Sequence, residues 1–225
     1  MPTLYSNEAS GNSYKARLLA SFLDIPLDII QVDLHHGEQR GEKFLSLNPK
    51  GEVPTLVDGD LVLTDSAAIL VYLAGKYHNP DGNGWWSTDV IEQALITDWL
   101  AFAASWVQYG VFTARAIVSF GGAFNGLGSA STEQTLREAK IRGEKSLQIL
   151  DQHLESVEWL VLGRPTIADI AVFPYVALAP MGNISLEPFG NVRRWIGRIR
   201  ELPRFIPIDG LDDPLYRRRE TDRPT

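Results

Sequence analysis

The chain has 225 residues, a formal net charge of -7 and 44% hydrophobic residues, which is the composition of a globular protein with one or two cores. Its acidic balance argues against nucleic-acid binding, which needs a concentrated basic face. The absence of cysteine excludes disulfides, thiolate metal sites and a cysteine nucleophile. Because the N-terminus shows no secretory pattern and no apolar run reaches transmembrane length, we expect a soluble, cytoplasmic protein.

The first third of the chain alternates short predicted strands with helices. Its elements follow from apolar periodicity and turn residues. The order βαβ followed by ββα predicts a small mixed sheet with helices packed on it. In chain order the elements are a strand at 3–5, a helix at 13–23, a strand at 27–32, a short helix at 42–46, a hairpin of 54–57 and 61–64, and a helix that begins after 65–66.

Helical periodicity dominates the rest of the chain. Turn-forming residues at 79–84 predict a linker. We therefore expect an α/β domain over 1–78, a linker over 79–88 and an all-α domain over 89–225. Thr166 and Asp169 have the spacing of a capping box, which predicts the start of one helix. The predicted helices cover 91–118, 133–154, 166–178 and 192–202, with a glycine-rich loop at 120–128.

Three features of the first domain are expected to meet at one edge of its sheet: the polar loop 6–13, the segment 52–54 and the dipeptide 65–66. Helix N-termini present unpaired N–H groups and partial positive charge, so they favour anions. Pro54 opens a strand, where it has no N–H to donate. A cis Val53-Pro54 bond would leave the Val53 backbone free to pair with a peptide-like ligand, whereas a trans proline on an edge strand is the ordinary alternative.

Four motifs stand out by their order and spacing along the chain. They are FLSLNPKGEVPTL at 44–56, LTDSAAI at 63–69, PTIAD at 165–169, and NVRRW at 191–195 followed by PRF at 203–205. Together they resemble the cytosolic glutathione S-transferase family over nearly the whole chain. The resemblance implies a thioredoxin-like N-terminal domain and an all-α C-terminal domain. It also implies glutathione as co-substrate, no metal, a homodimer and a cis bond before Pro54.

The loop after the first strand is similar to serine-type classes of this family, especially zeta- and theta-like ones. Ser10 matches the serine that stabilises the thiolate of glutathione. Asn12 stands where the zeta pattern has a cysteine, and it is a second candidate donor to the sulfur. A donor and a helix N-terminus both favour the thiolate of a thiol whose ordinary pKa is about 8.5. Two alternatives stay open: Ser10 only caps the helix, or Tyr5 supplies the hydroxyl.

The resemblance also implies which residues hold the rest of glutathione. Val53 would pair with the cysteinyl backbone, Ser66 would hold the γ-glutamyl carboxylate, and Asp65 would face the ammonium group. Gln39 matches a position near the glycyl carboxylate, and Glu52 stands where a lysine or glutamine is frequent. The implied glutathione-binding residues are Gln39, Glu52, Val53, Pro54, Asp65 and Ser66.

The leading functional interpretation is a glutathione transferase that activates glutathione as a thiolate for attack on a small electrophile. Glutathione-dependent cis–trans isomerisation and reduction of mixed disulfides are alternative reactions. A non-catalytic glutathione-binding or assembly module is a further alternative. In the implied homodimer, Asp98 would reach the ammonium group of glutathione bound to the other subunit.

Two other groups of residues have simpler interpretations. His35 and His36 are predicted to be solvated loop residues and not metal ligands. Helical spacing predicts that most members of an aromatic and basic set on the first long helix are core residues, and that some line the acceptor pocket. This set is Trp106, Tyr109, Phe112 and Arg115.

Overall fold

The computed structural model describes residues 1–77, 84–121 and 131–216. Residues 79–83 of the predicted linker and residues 122–128 of the predicted glycine-rich loop lie outside the described residues. Within the described ranges, no helix is both long enough and apolar enough to cross a membrane.

The N-terminal domain contains the small mixed sheet that the sequence predicted, and its four strands lie in the order β2-β1-β3-β4. β1 runs parallel to β2 and antiparallel to β3, and β3 and β4 form the hairpin. The elements are β1 (Thr3–Ser6), α1 (Gly11–Phe22), β2 (Asp28–Gln31), α2 (Glu42–Leu47), β3 (Thr55–Asp58), β4 (Leu61–Leu63) and α3 (Ser66–Lys76).

The core of this domain lies between the central strands and helices α1 and α3. Leu4 of β1 and Leu56 of β3 are opposite each other in the sheet, and both are fully buried. Leu19 of α1 and Leu70 of α3 are also fully buried in the same apolar cluster. The edge strand β2 is exposed along its whole length, because it has a neighbour on one side only. The central strands therefore form the buried part of the sheet, on which α1 and α3 pack.

The described part of the C-terminal domain consists of helices joined by turns and contains no strand. The predicted helix at 91–118 is a continuous rod with a π-helical middle segment, Ala103–Phe112. Gly110 of this segment packs tightly on the helix Glu133–His153, because a Cβ at Gly110 would lie 2.6 Å from the Gly143 nitrogen. The other bounds are α4 (Val90–Phe102), α5 (Thr113–Phe120), α6 (Glu133–His153), α7 (Ile167–Ala177) and α8 (Gly190–Arg200).

The predicted capping box is confirmed at the start of α7. The Thr166 hydroxyl accepts a hydrogen bond from a first-turn N–H, and the Asp169 carboxylate accepts one from the Thr166 N–H at 2.9 Å. Asp169 also accepts hydrogen bonds from the Leu160 N–H and the Trp195 indole. Burial raises the pKa of Asp169, and its hydrogen bonds act in the opposite direction. The motif therefore ties α7 to α8 and to the loop before it.

Candidate functional site

The three predicted site segments meet at one edge of the sheet. In the β1–β3 ladder Tyr5 pairs with Thr55, so the residue before Thr55 lies beside the end of β1. In the β3–β4 ladder Leu63 pairs with Leu56, so Asp65 follows at the same edge. The Val53-Pro54 bond is cis, as predicted. This geometry brings segment 52–54 between the N-termini of α1 and α3.

Backbone groups of two predicted binding residues are available to a ligand. Within the described part of the chain, neither the N–H nor the C=O of Val53 bonds to another protein group. The N–H of Ser66, in the first turn of α3, is likewise without a protein acceptor there. A ligand with an extended peptide backbone and a carboxylate fits these groups, because strand pairing needs the former and a helix N-terminus favours the latter.

Asp65 is the N-cap of α3, and its carboxylate accepts hydrogen bonds from the N–H groups of Ala67 and Ala68. Asp65 is exposed, so one face of the carboxylate remains open to solvent. A carboxylate accepts several hydrogen bonds at once. The capping role is therefore compatible with contact to a ligand ammonium group.

Ser10 is the N-cap of α1. Its side-chain oxygen accepts a hydrogen bond from the Ser13 N–H at 3.2 Å. Ser10 therefore does cap the helix, as one of the alternatives from the sequence expects. A hydroxyl that accepts in this way keeps its own proton for donation. Ser10 is half-buried at the mouth of the loop. The same side chain can therefore cap α1 and donate to an anion in front of it.

Asn12 is held by two contacts in the first turn of α1. Its backbone N–H donates to the phenolic oxygen of Tyr175 at 3.1 Å. Its side-chain oxygen Oδ1 accepts from the ammonium of Lys15 at 2.9 Å. Because the oxygen accepts from Lys15, the amide nitrogen Nδ2, on the other branch of the same amide plane, is left to donate to a different partner. Asn12 thus presents its NH₂ group as a donor.

Tyr5 is oriented differently from Ser10 and Asn12. Its ring packs edge-on against Phe44 of α2, with centroids 6.0 Å apart. Its strand neighbours Leu4 and Ser6 are fully buried, and side chains alternate between the two faces of a strand. The Tyr5 ring therefore lies on the α2 side of the sheet, which favours Ser10 and Asn12 as thiolate donors.

Gln39 and Glu52 lie at the same end of the site. Gln39 is in a short 3₁₀ turn that packs on Gly51, where a Cβ would come within 2.9 Å of the Gln39 carbonyl oxygen. The Gln39 side-chain oxygen is buried and has no hydrogen-bond partner among the described residues. The buried Asn48, which the sequence did not single out, donates to the Glu52 carbonyl oxygen at 2.8 Å and so fixes the turn before Pro54.

Sequence reasoning also missed Lys15 and Tyr175. Lys15 is 5% exposed, and burial lowers its pKa to about 8 while the Asp65 carboxylate partly opposes this shift. Burial raises the pKa of Tyr175 to about 12. A Cβ at Gly11 would lie 2.5 Å from the Tyr175 ring, so only glycine allows this contact. Each residue lies within a predicted helix, where its apolar neighbours predict only core packing.

The aromatic and basic set on the first long helix divides into two pairs. Phe112 and Arg115 face the site: the Phe112 ring lies 4.6 Å from the Tyr175 ring, and Arg115 Nη2 donates to the Ala9 carbonyl oxygen at 3.1 Å. Trp106 is 39% and Tyr109 61% exposed, so neither is a core residue, although the spacing predicts that most of the set is core. The reason is that π-helical winding changes which residues share a face, and a period of 3.6 does not apply there.

His35 and His36 are exposed, as predicted. His36 Nδ1 contacts the carboxylate of Asp33, which lowers the pKa of Asp33. Within the residues that the structure describes, no group of three potential metal ligands is present.

Comparisons with known proteins agree with this geometry. Family models for the glutathione S-transferase N-terminal domain and C-terminal domain match residues 2–75 and 103–203. Glutathione S-transferase 2 of Anopheles gambiae is 31% identical over 181 residues, which cover 80% of each chain. Protein URE2 of Meyerozyma guilliermondii is 36% identical over 241 residues, covering 91% of this chain and 78% of the relative.

Solved structures show the same architecture. A glutathione S-transferase from Xanthobacter autotrophicus superposes with a TM-score of 0.82 at 28% identity, covering 95% of this chain and 99% of the other. Ure2p in complex with glutathione superposes with a TM-score of 0.79 at 26% identity, covering 90% and 95%. The thioredoxin-like domain and the helical domain expected from the sequence are thus confirmed, and the chain belongs to the glutathione S-transferase family.

Proposed function

We propose that the glutathione transferase activity of this chain depends on a glutathione thiolate held at the N-terminus of α1 and directed at a small electrophile. The observation that carries this proposal is the convergence of two helix N-termini on the unpaired Val53 backbone. The thiolate lies near the hydroxyl of Ser10 and the amide of Asn12. Both donors lower the pKa of the bound thiol, because they favour its charged form.

The rest of glutathione is assigned to the remaining predicted residues. The Val53 backbone pairs with the cysteinyl unit beside Pro54. The Ser66 N–H and the α3 N-terminus receive the γ-glutamyl carboxylate, and Asp65 faces the ammonium group. At the glycyl end, the Gln39 side chain is the donor. Glu52 contributes its backbone there, because a carboxylate would repel the glycyl carboxylate.

We further propose a cytoplasmic homodimer. The lack of cysteine fits a reducing compartment. Two exposed apolar patches support the dimer. One is Leu61 and Val62 on β4, and the other is Val90, Ile91 and Leu95 on α4. In a two-fold dimer, the β4 patch of each subunit would pack on the α4 patch of its partner. This contact is made twice, so both patches of both subunits are covered.

A non-catalytic role is the second candidate, because several of the relatives are URE2 proteins. Both candidates predict glutathione binding, so binding alone does not separate them. The discriminating experiment combines calorimetry of glutathione binding with turnover of three substrate classes: aromatic halides for conjugation, a cis-enone acid for isomerisation and a mixed disulfide for reduction.

We expect glutathione binding and conjugation that rises with pH as the bound thiol ionises. Binding with no turnover of any class would favour the non-catalytic role. A protein that does not bind glutathione would contradict the proposed glutathione site. Turnover of only the enone or only the disulfide would support the glutathione site, but it would show that the reaction is isomerisation or disulfide reduction instead of conjugation.

A further inference from the structure

Lys15 is a buried cation directly behind the proposed thiolate site. Its side chain is 5% exposed, and its Nζ lies 2.9 Å from Asn12 Oδ1 and 5.4 Å from the centre of the Tyr175 ring. Within the described ranges, no carboxylate lies within 4.0 Å of this ammonium. An unpaired buried charge is costly, so a structural role alone does not explain a lysine at this position.

Arg115 is a second buried cation, and its charge acts on the same tyrosine. It donates to the Ala9 carbonyl oxygen and contacts the Met181 sulfur, and it too has no carboxylate within 4.0 Å in the described part of the chain. The partial positive charge of the α1 N-terminus adds to these two charges. Together they place positive charge at the base of the site, where the Asp65 carboxylate is the negative group that acts on Lys15.

The groups that face Lys15 come from three elements. Asn12 lies on its own helix, Tyr175 reaches it from α7, and Asp65 acts on it from the α3 N-cap. The contact with Asn12 is directional, because an amide oxygen accepts and an ammonium only donates. Lys15 thus decides which end of the Asn12 amide faces the ligand.

We propose that Lys15 is a positioning residue for the glutathione thiolate: it holds the Asn12 amide with its NH₂ toward the sulfur and places a positive charge behind it. This role rests on the proposed function, since it requires glutathione at the α1 N-terminus. The ammonium does not touch the sulfur. It acts through the orientation of Asn12 and through its charge, so its removal raises the pKa of the bound thiol.

The first test compares Lys15→Met with Lys15→Arg. Methionine removes the charge and the donor but keeps the apolar stem, and arginine keeps both the charge and a donor. The measurement is ultraviolet titration of the thiol in bound glutathione, with affinity from calorimetry. We expect Lys15→Met to raise the thiol pKa by at least about one unit, and Lys15→Arg to restore much of that shift. A Lys15→Met protein that binds glutathione with an unchanged thiol pKa would overturn the proposal.

A double variant tests whether Lys15 acts through Asn12. In the Asn12→Ala background, Lys15→Met should shift the thiol pKa by less than it does alone, because the shared amide is already gone. Full additivity would mean that Lys15 acts by its charge alone, and that would overturn the positioning role.

A second measurement uses the wild-type protein and does not depend on how the variants fold. The titration of Lys15 Nζ is followed by NMR in ligand-free protein, with glutathione and with S-methylglutathione. Because linkage is reciprocal, glutathione should raise the pKa of Lys15 by more than S-methylglutathione does, since the two ligands share their carboxylates and differ in the charge on sulfur. Equal pKa shifts of Lys15 with both ligands would overturn the positioning role of Lys15 but would leave the proposed function intact. Wild-type protein that binds neither ligand would overturn the proposed function, and this role with it.

Discussion

The phenolic oxygen of Tyr175, in the helical domain, accepts a hydrogen bond from the backbone N–H of Asn12 at the start of α1. The two residues are 163 positions apart in the chain. The bond satisfies one of the N–H groups that a helix N-terminus leaves unpaired. It also fixes the turn that carries Ser10 and Asn12 against the helical domain, so the site is built from both domains.

Tyr175→Phe removes this acceptor and leaves a part-buried N–H without a partner. We expect the free energy of unfolding to fall by about 1–2 kcal/mol, measured by urea denaturation. Tyr109→Phe is the matched control, because Tyr109 is 61% exposed and its change should have little effect. Equal stability of Tyr175→Phe and wild type would show that the interdomain bond does not contribute to the fold.

Lys15 makes the stability of the ligand-free protein depend on pH. Burial lowers its pKa to about 8 from 10.5, so between these values the unfolded chain binds more protons than the folded chain. The free energy of unfolding should therefore rise with pH in this range, by about 1–2 kcal/mol between about pH 8 and about pH 9.5. The pKa of Tyr175 is raised, so this residue makes the free energy of unfolding fall with increasing pH. That effect begins only near pH 10, the ordinary pKa of tyrosine.

Urea denaturation across this range checks the sign. Lys15→Met should abolish the rise and should stabilise the ligand-free protein near neutral pH, because a buried charge is removed. Lys145→Met, at an exposed position on α6, is the control and should keep the rise. Parallel pH curves for wild type and Lys15→Met would contradict the assignment of this dependence to Lys15.

The dimer proposal makes a prediction about α4. Leu95 is 49% exposed, and a charge there would be buried without a partner in the proposed interface. Leu95→Glu should weaken self-association at least about tenfold in sedimentation equilibrium, a change of roughly 1.4 kcal/mol. Val157→Glu, on the loop after α6, is the control and should associate as wild type does. A wild-type monomer at micromolar concentration would contradict the proposal.

The parts of the fold and of the site that depend on local sequence were predictable. The cis bond before Pro54 follows from a strand-opening proline together with the family motif, and the box of Thr166 and Asp169 needs only three residues of separation. The contacts of Lys15 were not predictable, because an interior lysine depends on which distant groups surround it. The exposure of Trp106 and Tyr109 was not predictable, because sequence periodicity does not reveal a π-helical segment.

The central claim is that donors at the α1 N-terminus stabilise the thiolate of bound glutathione. The direct test is ultraviolet titration of the bound thiol in wild type, Ser10→Ala, Asn12→Ala and Tyr5→Phe. A hydrogen bond to a charged group contributes about 1.5–3 kcal/mol, so Ser10→Ala should raise the thiol pKa by about one to two units. Asn12→Ala should also raise it, and Tyr5→Phe should leave it unchanged. A shift in Asn12→Ala alone would reduce Ser10 to a helix cap, and a shift in Tyr5→Phe alone would contradict the account.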